Sequence, residues 1–155
     1  MKFDITEIEE LSGDKASIYS VVIDGQDETL LEQFFNDNEE YKEELKIILS
    51  KIKSMANITG CRKCYFKDGE GNLADGVVVL KGRKLRLYGI YFNNTVVLFG
   101  SGGYKDVRAY QDDPSLNYKA EQVKQIANKI NKAILDGSIK IENGEINDED
   151  WEDYE

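Results

Sequence analysis

Hydrophobic and polar residues alternate in two short segments at the start of the chain. Over residues 2–9, apolar side chains such as Phe3 alternate with charged ones, and residues 16–23 are rich in isoleucine, valine and tyrosine. Alternation with a period of two indicates a strand that buries one face, and residues 12–15 have the composition of a turn. The pattern predicts a β-hairpin over residues 1–25.

A helical period replaces this alternation after residue 28. A short apolar stripe spans residues 30–35, and a longer one recurs every three or four residues from Tyr41 to Met55. Such spacing places apolar side chains on one face of a helix, so two helices are predicted, with Gly60 as the C-terminal cap of the second. The polar positions between the stripes are interpreted as a solvated outer face; they include Glu39, Glu40, Glu43, Glu44 and Lys46.

Three strands of an antiparallel sheet are predicted next. Residues 76–80, 85–92 and 95–99 are rich in valine, leucine and aromatic residues, and a basic turn separates the first two. The asparagine pair at 93–94 separates the last two, because asparagine tolerates the positive φ of a two-residue hairpin turn. Residues 100–103, with three glycines, are expected to close the third strand.

The position of this asparagine turn determines which residues lie opposite each other in the last two strands. Tyr88 is expected to face Phe99, and Arg86 to face Ser101. Alternation of side chains also places Arg86 and Tyr88 on the same face of the sheet. A basic side chain and a tyrosine are therefore predicted to share a surface near one end of the hairpin.

A long helix and an acidic tail are predicted at the C-terminus. The Asp-Asp-Pro segment at 112–114 is typical of a helix start, and Gly137 of a helix end. Residues 138–141 are expected to add a short strand. Residues 143–155 carry charge but no periodic apolar pattern, so we expect a disordered tail. The chain is thus predicted to form one α+β domain over residues 1–142.

The net charge of −10 is divided unevenly along the chain. Residues 1–60 carry a net charge of −8 and residues 141–155 another −8, whereas residues 61–140 hold 14 basic and 8 acidic groups, net +6. A uniformly acidic surface would repel a nucleic acid, but a basic middle region can contact phosphates. The charge distribution therefore leaves a nucleic-acid partner open.

Several classes of site are excluded by composition. The sequence has no histidine, which excludes Ser-His-Asp and Cys-His triads and histidine metal ligands. Cys61 and Cys64 lack the second pair of ligands that a zinc site needs, and we assign them no function. We expect no metal and no cofactor. The chain shows neither a secretory signal nor a membrane-spanning segment, so a cytoplasmic protein without a membrane partner is expected.

Basic residues and tyrosines without histidine support a limited chemistry. Lysine and arginine bind phosphates, and tyrosine stacks on unpaired bases. Such groups can also cleave RNA without a metal: the 2′-OH is the nucleophile, lysine or tyrosine moves its proton, and arginine stabilises the transition-state charge. The alternative is ordinary surface charge at strand ends, with Tyr88 and Phe99 as a cross-strand aromatic pair.

The segment 85–92, the turn after it, the apolar strand 96–100 and the Gly-Tyr-Lys exit at 103–105 together resemble the RelE/ParE toxin superfamily. The similarity is greatest to its HigB-like, phage-derived branch, in which an arginine opens an aromatic-rich strand. The resemblance covers residues 28–140. It implies a RelE-like antiparallel sheet with two N-terminal helices and one C-terminal helix, to which the hairpin 1–25 is an addition.

This resemblance implies a bacterial toxin of a type II toxin–antitoxin system. Such a toxin cleaves mRNA, free or on the ribosome, and is inhibited by a cognate antitoxin, here expected to be a helix-turn-helix protein. The matching positions are Arg86 for phosphate and transition-state charge, Lys105 for phosphate binding or proton transfer, and Tyr88 for base stacking or proton transfer. Supporting RNA-binding candidates, by proximity alone, are Lys81, Lys84, Arg108 and Tyr110.

Two other functions stay open at this point. ParE-type members of the same superfamily act by binding a protein rather than by cleaving RNA, so the fold alone does not determine activity. A third hypothesis is an acidic regulator whose tail imitates a nucleic acid and binds a basic partner. These hypotheses differ in whether expression of the chain arrests growth and whether mRNA is cut.

Overall fold

The computed structural model describes residues 1–68, 76–106 and 114–152. Its elements in chain order are β1 (Phe3–Glu7), β2 (Ser17–Ile23), α1 (Leu30–Asp37), α2 (Lys42–Ser54), β3 (Phe66–Asp68), β4 (Val77–Lys81), β5 (Leu85–Asn93), β6 (Val96–Tyr104), α3 (Pro114–Asp136), β7 (Lys140–Glu142) and β8 (Glu145–Asn147). Three short helical turns that the sequence did not predict lie at Glu39–Tyr41, Met55–Thr59 and Lys63–Tyr65. The predicted α+β class is confirmed.

Six strands form one mixed sheet in the order β1-β2-β6-β5-β4-β3. The predicted hairpin of β1 and β2 is confirmed, but β2 also runs parallel to β6, with Ser17 opposite Val96 and Tyr19 opposite Leu98. The predicted antiparallel pairing of β4, β5 and β6 is confirmed, and the sheet is mixed because β2 joins it in parallel. The hairpin belongs to the same sheet as the other strands, because β2 is the neighbour of β6. The short edge strand β3 was not among the predicted elements.

Helices cover both faces of the sheet. α3 packs on one face, over side chains that include Tyr88 and Leu98. α1 and α2 pack on the other face, over side chains that include Leu87 and Phe99. Consecutive residues of the central strands thus enter opposite cores, which explains why these strands are apolar at almost every position. None of the described helices has both the length and the apolar character needed to cross a membrane.

The two predicted glycine caps are confirmed. Gly137 follows α3 with φ 86°, and Gly60 follows the helical turn that extends α2, with φ 79°. Glycine adopts this left-handed region without the steric cost that a Cβ adds. At Gly60 the backbone also passes close to the β5–β6 turn, where the amide of Cys61 donates to the carbonyl of Asn94 at 2.7 Å.

The turn between β5 and β6 lies one residue later than predicted. Asn94 and Thr95 form it, and the Oδ1 of Asn93 accepts hydrogen bonds from the amide and the hydroxyl of Thr95, each 2.8 Å long. Asn93 therefore acts through its side chain, which competes well for nearby backbone donors, rather than through a positive φ.

The predicted register of β5 and β6 is consequently wrong. Arg86 lies opposite Gly103 rather than Ser101, and Phe99 lies opposite Gly89 rather than Tyr88. Two bulges contribute to the difference, one near the middle of β5 and one near its C-terminal end. Each bulge adds one unpaired residue to a strand and so changes the pairing of every residue beyond it.

The acidic C-terminal segment is folded rather than disordered as far as residue 152. β7 and β8 pair in a hairpin whose turn contains Asn143 and Gly144, with φ of 54° and 73°. Ile146 of β8 is only 8% exposed. The expected disorder over 143–155 is thus wrong for its described part, because strands of three residues are too short to give a periodic signal.

Two contacts attach this segment to the N-terminal hairpin. The amide of Ile146 donates to the hydroxyl of Tyr19 at 3.1 Å. Further along, the ring of Trp151 packs on Phe3, with the ring centroids 5.4 Å apart. The acidic segment is therefore attached to β1 and β2.

Candidate nucleic-acid interface

Predicted basic residues of β4, of β5, of the turn between them and of the segment after β6 meet at one end of the sheet. Lys81, the last residue of β4, pairs with Arg86 of β5, which in turn pairs with Gly103 of β6. The amide of Lys105 donates to the carbonyl of Lys84 at 2.8 Å. We define the basic end as Lys81, Arg83, Lys84, Arg86 and Lys105.

Arg86 is largely enclosed within the basic end. It is 7% exposed, and its Nη1 donates to the carbonyl oxygens of Arg83, at 2.9 Å, and Leu85, at 3.3 Å. A buried guanidinium needs such acceptors, because leaving a charge without them in the interior is costly. These bonds hold the charge against the turn between β4 and β5, and little of the side chain is exposed to a ligand.

Tyr88 lies in the core between the sheet and α3. It is 0% exposed and belongs to the same cluster as Leu98 and Val123. A ring enclosed in this way has no face accessible to an RNA base, so its position does not fit the predicted stacking role. Alternation correctly places Tyr88 on the Arg86 face, but it does not reveal that α3 covers this face.

A stacked tyrosine pair lies beside the basic end and was not among the predicted site residues. Tyr104, the last residue of β6, stacks on Tyr41 with the ring centroids 4.2 Å apart and the planes 14° apart. Both residues are partly exposed. Burial raises the pKa of Tyr41, and the charges of Glu40 and Asp106 raise it further. The pair thus offers an aromatic surface suited to stacking on an unpaired base.

A base-stacking role of this pair predicts that replacing Tyr104 by leucine weakens the binding of single-stranded RNA about tenfold, because stacking on an aromatic ring contributes about 1 to 3 kcal/mol per base. Tyr104→Phe keeps the ring and should bind RNA as the wild type does. Fluorescence anisotropy of a labelled single-stranded oligoribonucleotide measures the affinity. Tyr118→Leu, at an exposed tyrosine of α3, is the matched control. Equal affinities of the Tyr104→Phe and Tyr104→Leu proteins for the oligoribonucleotide would show that bases do not stack on this tyrosine pair.

Glu44 of α2 binds the turn between β4 and β5. Its Oε1 accepts backbone hydrogen bonds from Arg83, Lys84 and Leu85 at 2.7, 2.5 and 2.8 Å. Burial alone would raise the pKa of Glu44, but these three donors and the charge of Arg83 lower it below its ordinary value. The interpretation of Glu44 as part of a solvated outer face is therefore wrong, since tertiary packing directs it at the turn.

Lys51 of α2 brings one more cation to the same end. Its Nζ donates to the carbonyl of Lys81 at 2.7 Å. Burial lowers the pKa of Lys51 from its ordinary value. No pattern in the sequence indicates this contact, because Lys51 occupies a polar position of the predicted helix like any surface lysine.

A cleft of about 230 Å³ separates the tyrosine pair from the start of α3. Its lining includes Gly103 and Lys119 together with three carboxylates, those of Asp37, Glu40 and Asp106. Carboxylates repel phosphate. The side of the basic end that carries the β4–β5 turn therefore suits a phosphate backbone better than this cleft does.

The two cysteines differ in their surroundings. Cys61 is buried in the core under α1 and α2, and burial raises the pKa of its thiol to about 12. Cys64 is exposed. Within the described ranges, no group of three or more cysteine, aspartate or glutamate side chains is arranged to hold a metal ion.

The structure thus brings together four of the seven predicted site residues, namely Lys81, Lys84, Arg86 and Lys105. Tyr88 lies in the core, and Arg108 and Tyr110 fall outside the described residues. Comparisons with protein-family models, curated proteins and solved structures found no match to this chain. A functional assignment therefore depends on the chemistry of the basic end.

Proposed function

We propose that this chain is the toxin of a type II toxin–antitoxin system, of the RelE/ParE type and its HigB-like branch, and that it cleaves mRNA in the cytoplasm. The observation that carries the proposal is the meeting of Lys81, Lys84, Arg86 and Lys105 at one end of the sheet. The element order of α1 and α2, then β4 to β6, then α3 supports the RelE-like assignment. The proposed partners are mRNA, free or on the ribosome, and a helix-turn-helix antitoxin.

The proposed reaction uses the RNA's own 2′-oxygen as the nucleophile. This oxygen attacks the adjacent phosphorus and loses its proton, the bond from phosphorus to the 5′-oxygen breaks, and the leaving 5′-oxygen takes up a proton. The products carry a 2′,3′-cyclic phosphate and a 5′-hydroxyl. Arg86 stabilises the charge on the phosphoryl oxygens, and Lys105 binds the phosphate or moves the proton. Tyr104 takes the base-stacking role in place of Tyr88.

Arg86→Ala is expected to abolish growth arrest on induced expression and to slow mRNA cleavage roughly a hundredfold, the usual loss for one charge-stabilising donor. Mapping of RNA 5′ ends in induced cells detects the cleavage. Because Arg86 is buried, its variant needs a check of folding by circular dichroism. Lys105→Ala, at a half-buried position, is the second test, and Lys53→Ala on the exposed side of α2 is the control.

A non-catalytic protein-binding toxin of the same fold is the second candidate. The observation that favours it is the burial of Arg86 and Tyr88, which leaves two of the three predicted catalytic side chains little exposed surface. Growth arrest with intact mRNA, unaffected by Arg86→Ala, would identify this function. Absence of arrest in every strain would instead favour the acidic regulator.

A further inference from the structure

The turn between β4 and β5 is held from the side of α2 by one carboxylate. Amides of three consecutive residues, Arg83, Lys84 and Leu85, point at Oε1 of Glu44 at 2.7, 2.5 and 2.8 Å. Convergent backbone amides of this kind form a concave anion site. A Cβ at Gly82 would lie 3.1 Å from the Cβ of Glu44, so the turn approaches α2 as closely as it does because Gly82 has no side chain.

The carbonyl groups of the same three residues accept hydrogen bonds from the Arg86 guanidinium and from the backbone of Lys105. The Nη1 of Arg86 donates to the carbonyls of Arg83 and Leu85 at 2.9 and 3.3 Å. The amide of Lys105 donates to the carbonyl of Lys84 at 2.8 Å. Two peptide units of the turn therefore connect Glu44 to the basic end. The 83–84 unit joins Glu44, through the N–H of Lys84, to Arg86, through the C=O of Arg83. The 84–85 unit joins Glu44, through the N–H of Leu85, to the backbone of Lys105, through the C=O of Lys84.

We propose that Glu44 is the positioning residue of the basic end: by fixing residues 83–85, it sets the place of the Arg86 guanidinium and of the Lys105 backbone. This inference rests on the proposed ribonuclease function for its catalytic consequence. In this role Glu44 acts as a hydrogen-bond acceptor, through an Oε1 that receives three backbone N–H groups. Its action on the reaction is indirect, through the geometry of the two cations.

The obvious alternative is a carboxylate that only stabilises the fold. A stabilising contact alters the fraction of folded protein, whereas a positioning contact alters the turnover of folded protein, because small displacements of a catalytic group have large effects on rate. Glu44→Gln keeps an oxygen at the same distance but makes weaker, uncharged hydrogen bonds. Glu44→Ala removes the acceptor. Glu43→Ala is the matched control, since Glu43 is exposed and lies 3.6 Å from Lys46 on the same helix.

The catalytic test follows cleavage of a reporter mRNA in a translating bacterial extract, which contains free and ribosome-bound mRNA. All proteins are compared well below their unfolding temperatures. We expect Glu44→Ala to lower the maximal rate about tenfold with little change in the mRNA concentration at half-maximal rate, and Glu44→Gln to lower it about twofold. If the Glu44→Ala and Glu43→Ala proteins cleave at the same maximal rate, Glu44 is not a positioning residue.

A second measurement tests whether Glu44 positions Arg86 and Lys105, and it does not depend on a cleavage assay. NMR spectra report the Lys105 amide and the Arg86 guanidinium, neither of which contacts Glu44 directly in the hydrogen bonds above. In Glu44→Ala we expect the Lys105 amide to exchange with solvent about tenfold faster and the Arg86 signal to shift. Unchanged signals would overturn the positioning role. If wild-type protein cleaves no mRNA while these signals do change, the ribonuclease function is wrong and the structural role of Glu44 stands.

Discussion

Removing residues 144–155 is expected to lower the free energy of unfolding by about 4 kcal/mol. The buried Ile146 side chain contributes about 2 kcal/mol of this. The hydroxyl of Tyr19 loses the amide that donates to it, which costs about 1 kcal/mol at a buried site. Loss of the Trp151 ring from Phe3 adds about 1 kcal/mol. Urea denaturation followed by circular dichroism measures the change.

Two control proteins separate this effect from a general effect of shortening the chain. Removal of residues 153–155 alone keeps all three contacts and should leave the denaturation midpoint unchanged. Ile146→Ala should produce about half of the full loss, or about 2 kcal/mol. An unchanged midpoint after removal of residues 144–155 would show that the C-terminal hairpin does not stabilise the fold. The segment would then be a dispensable tail.

Gly102→Ala is expected to destabilise the protein by about 3 kcal/mol or more, the upper part of the range for overpacking a tight contact. A Cβ at this position would collide with the carbonyl oxygen of Arg86 and would lie 2.8 Å from its carbonyl carbon and 2.9 Å from the Cα of Leu87. These are backbone atoms of the neighbouring strand and cannot rotate away. β5 and β6 would have to separate at the point where they carry the basic end.

The neighbouring glycine provides the control for this substitution. A Cβ at Gly103 would meet only the ends of flexible side chains, Leu116 Cδ1 and Lys119 Nζ, each at 3.6 Å. Gly103→Ala should therefore change the unfolding temperature little, while Gly102→Ala lowers it strongly. Similar unfolding temperatures of the two variants would mean that β5 and β6 are not as close at Gly102 as the structure has them.

The fold class and most of the elements could be predicted because they leave local patterns. The alternation over 2–9 and 16–23 predicts β1 and β2, and the helical stripes predict α1, α2 and α3. The parallel pairing of β2 with β6 leaves no such pattern. Both edges of a hairpin present the same backbone groups, so the sequence does not indicate which edge joins a distant strand.

The sequence predicts only the part of the candidate site that comes from neighbouring strands. Lys81 and Arg86 lie next to each other because they belong to the two strands of a hairpin that the sequence indicates. The contributions of Glu44 and Tyr41 come from α2 and the helical turn before it, and a helix does not reveal from its own sequence which turn its polar residues meet. The burial of Tyr88 was missed for a related reason, since alternation assigns a face to a side chain but not the helix that covers that face.

The parallel pair of β2 and β6 has a consequence for the order in which the protein can form during translation. β2 pairs with residues 96–98, so while the ribosome is still making the middle of the chain, β1 is the strand that pairs with β2 and α1 is the helix that contacts it. A two-stranded hairpin without a third strand is marginally stable in water. The sheet is completed only after β6 has left the ribosome, and the cations of β4, β5 and the segment after β6 assemble at that late stage. A nascent chain therefore does not carry the assembled basic end until residue 105 has been made and has left the ribosome.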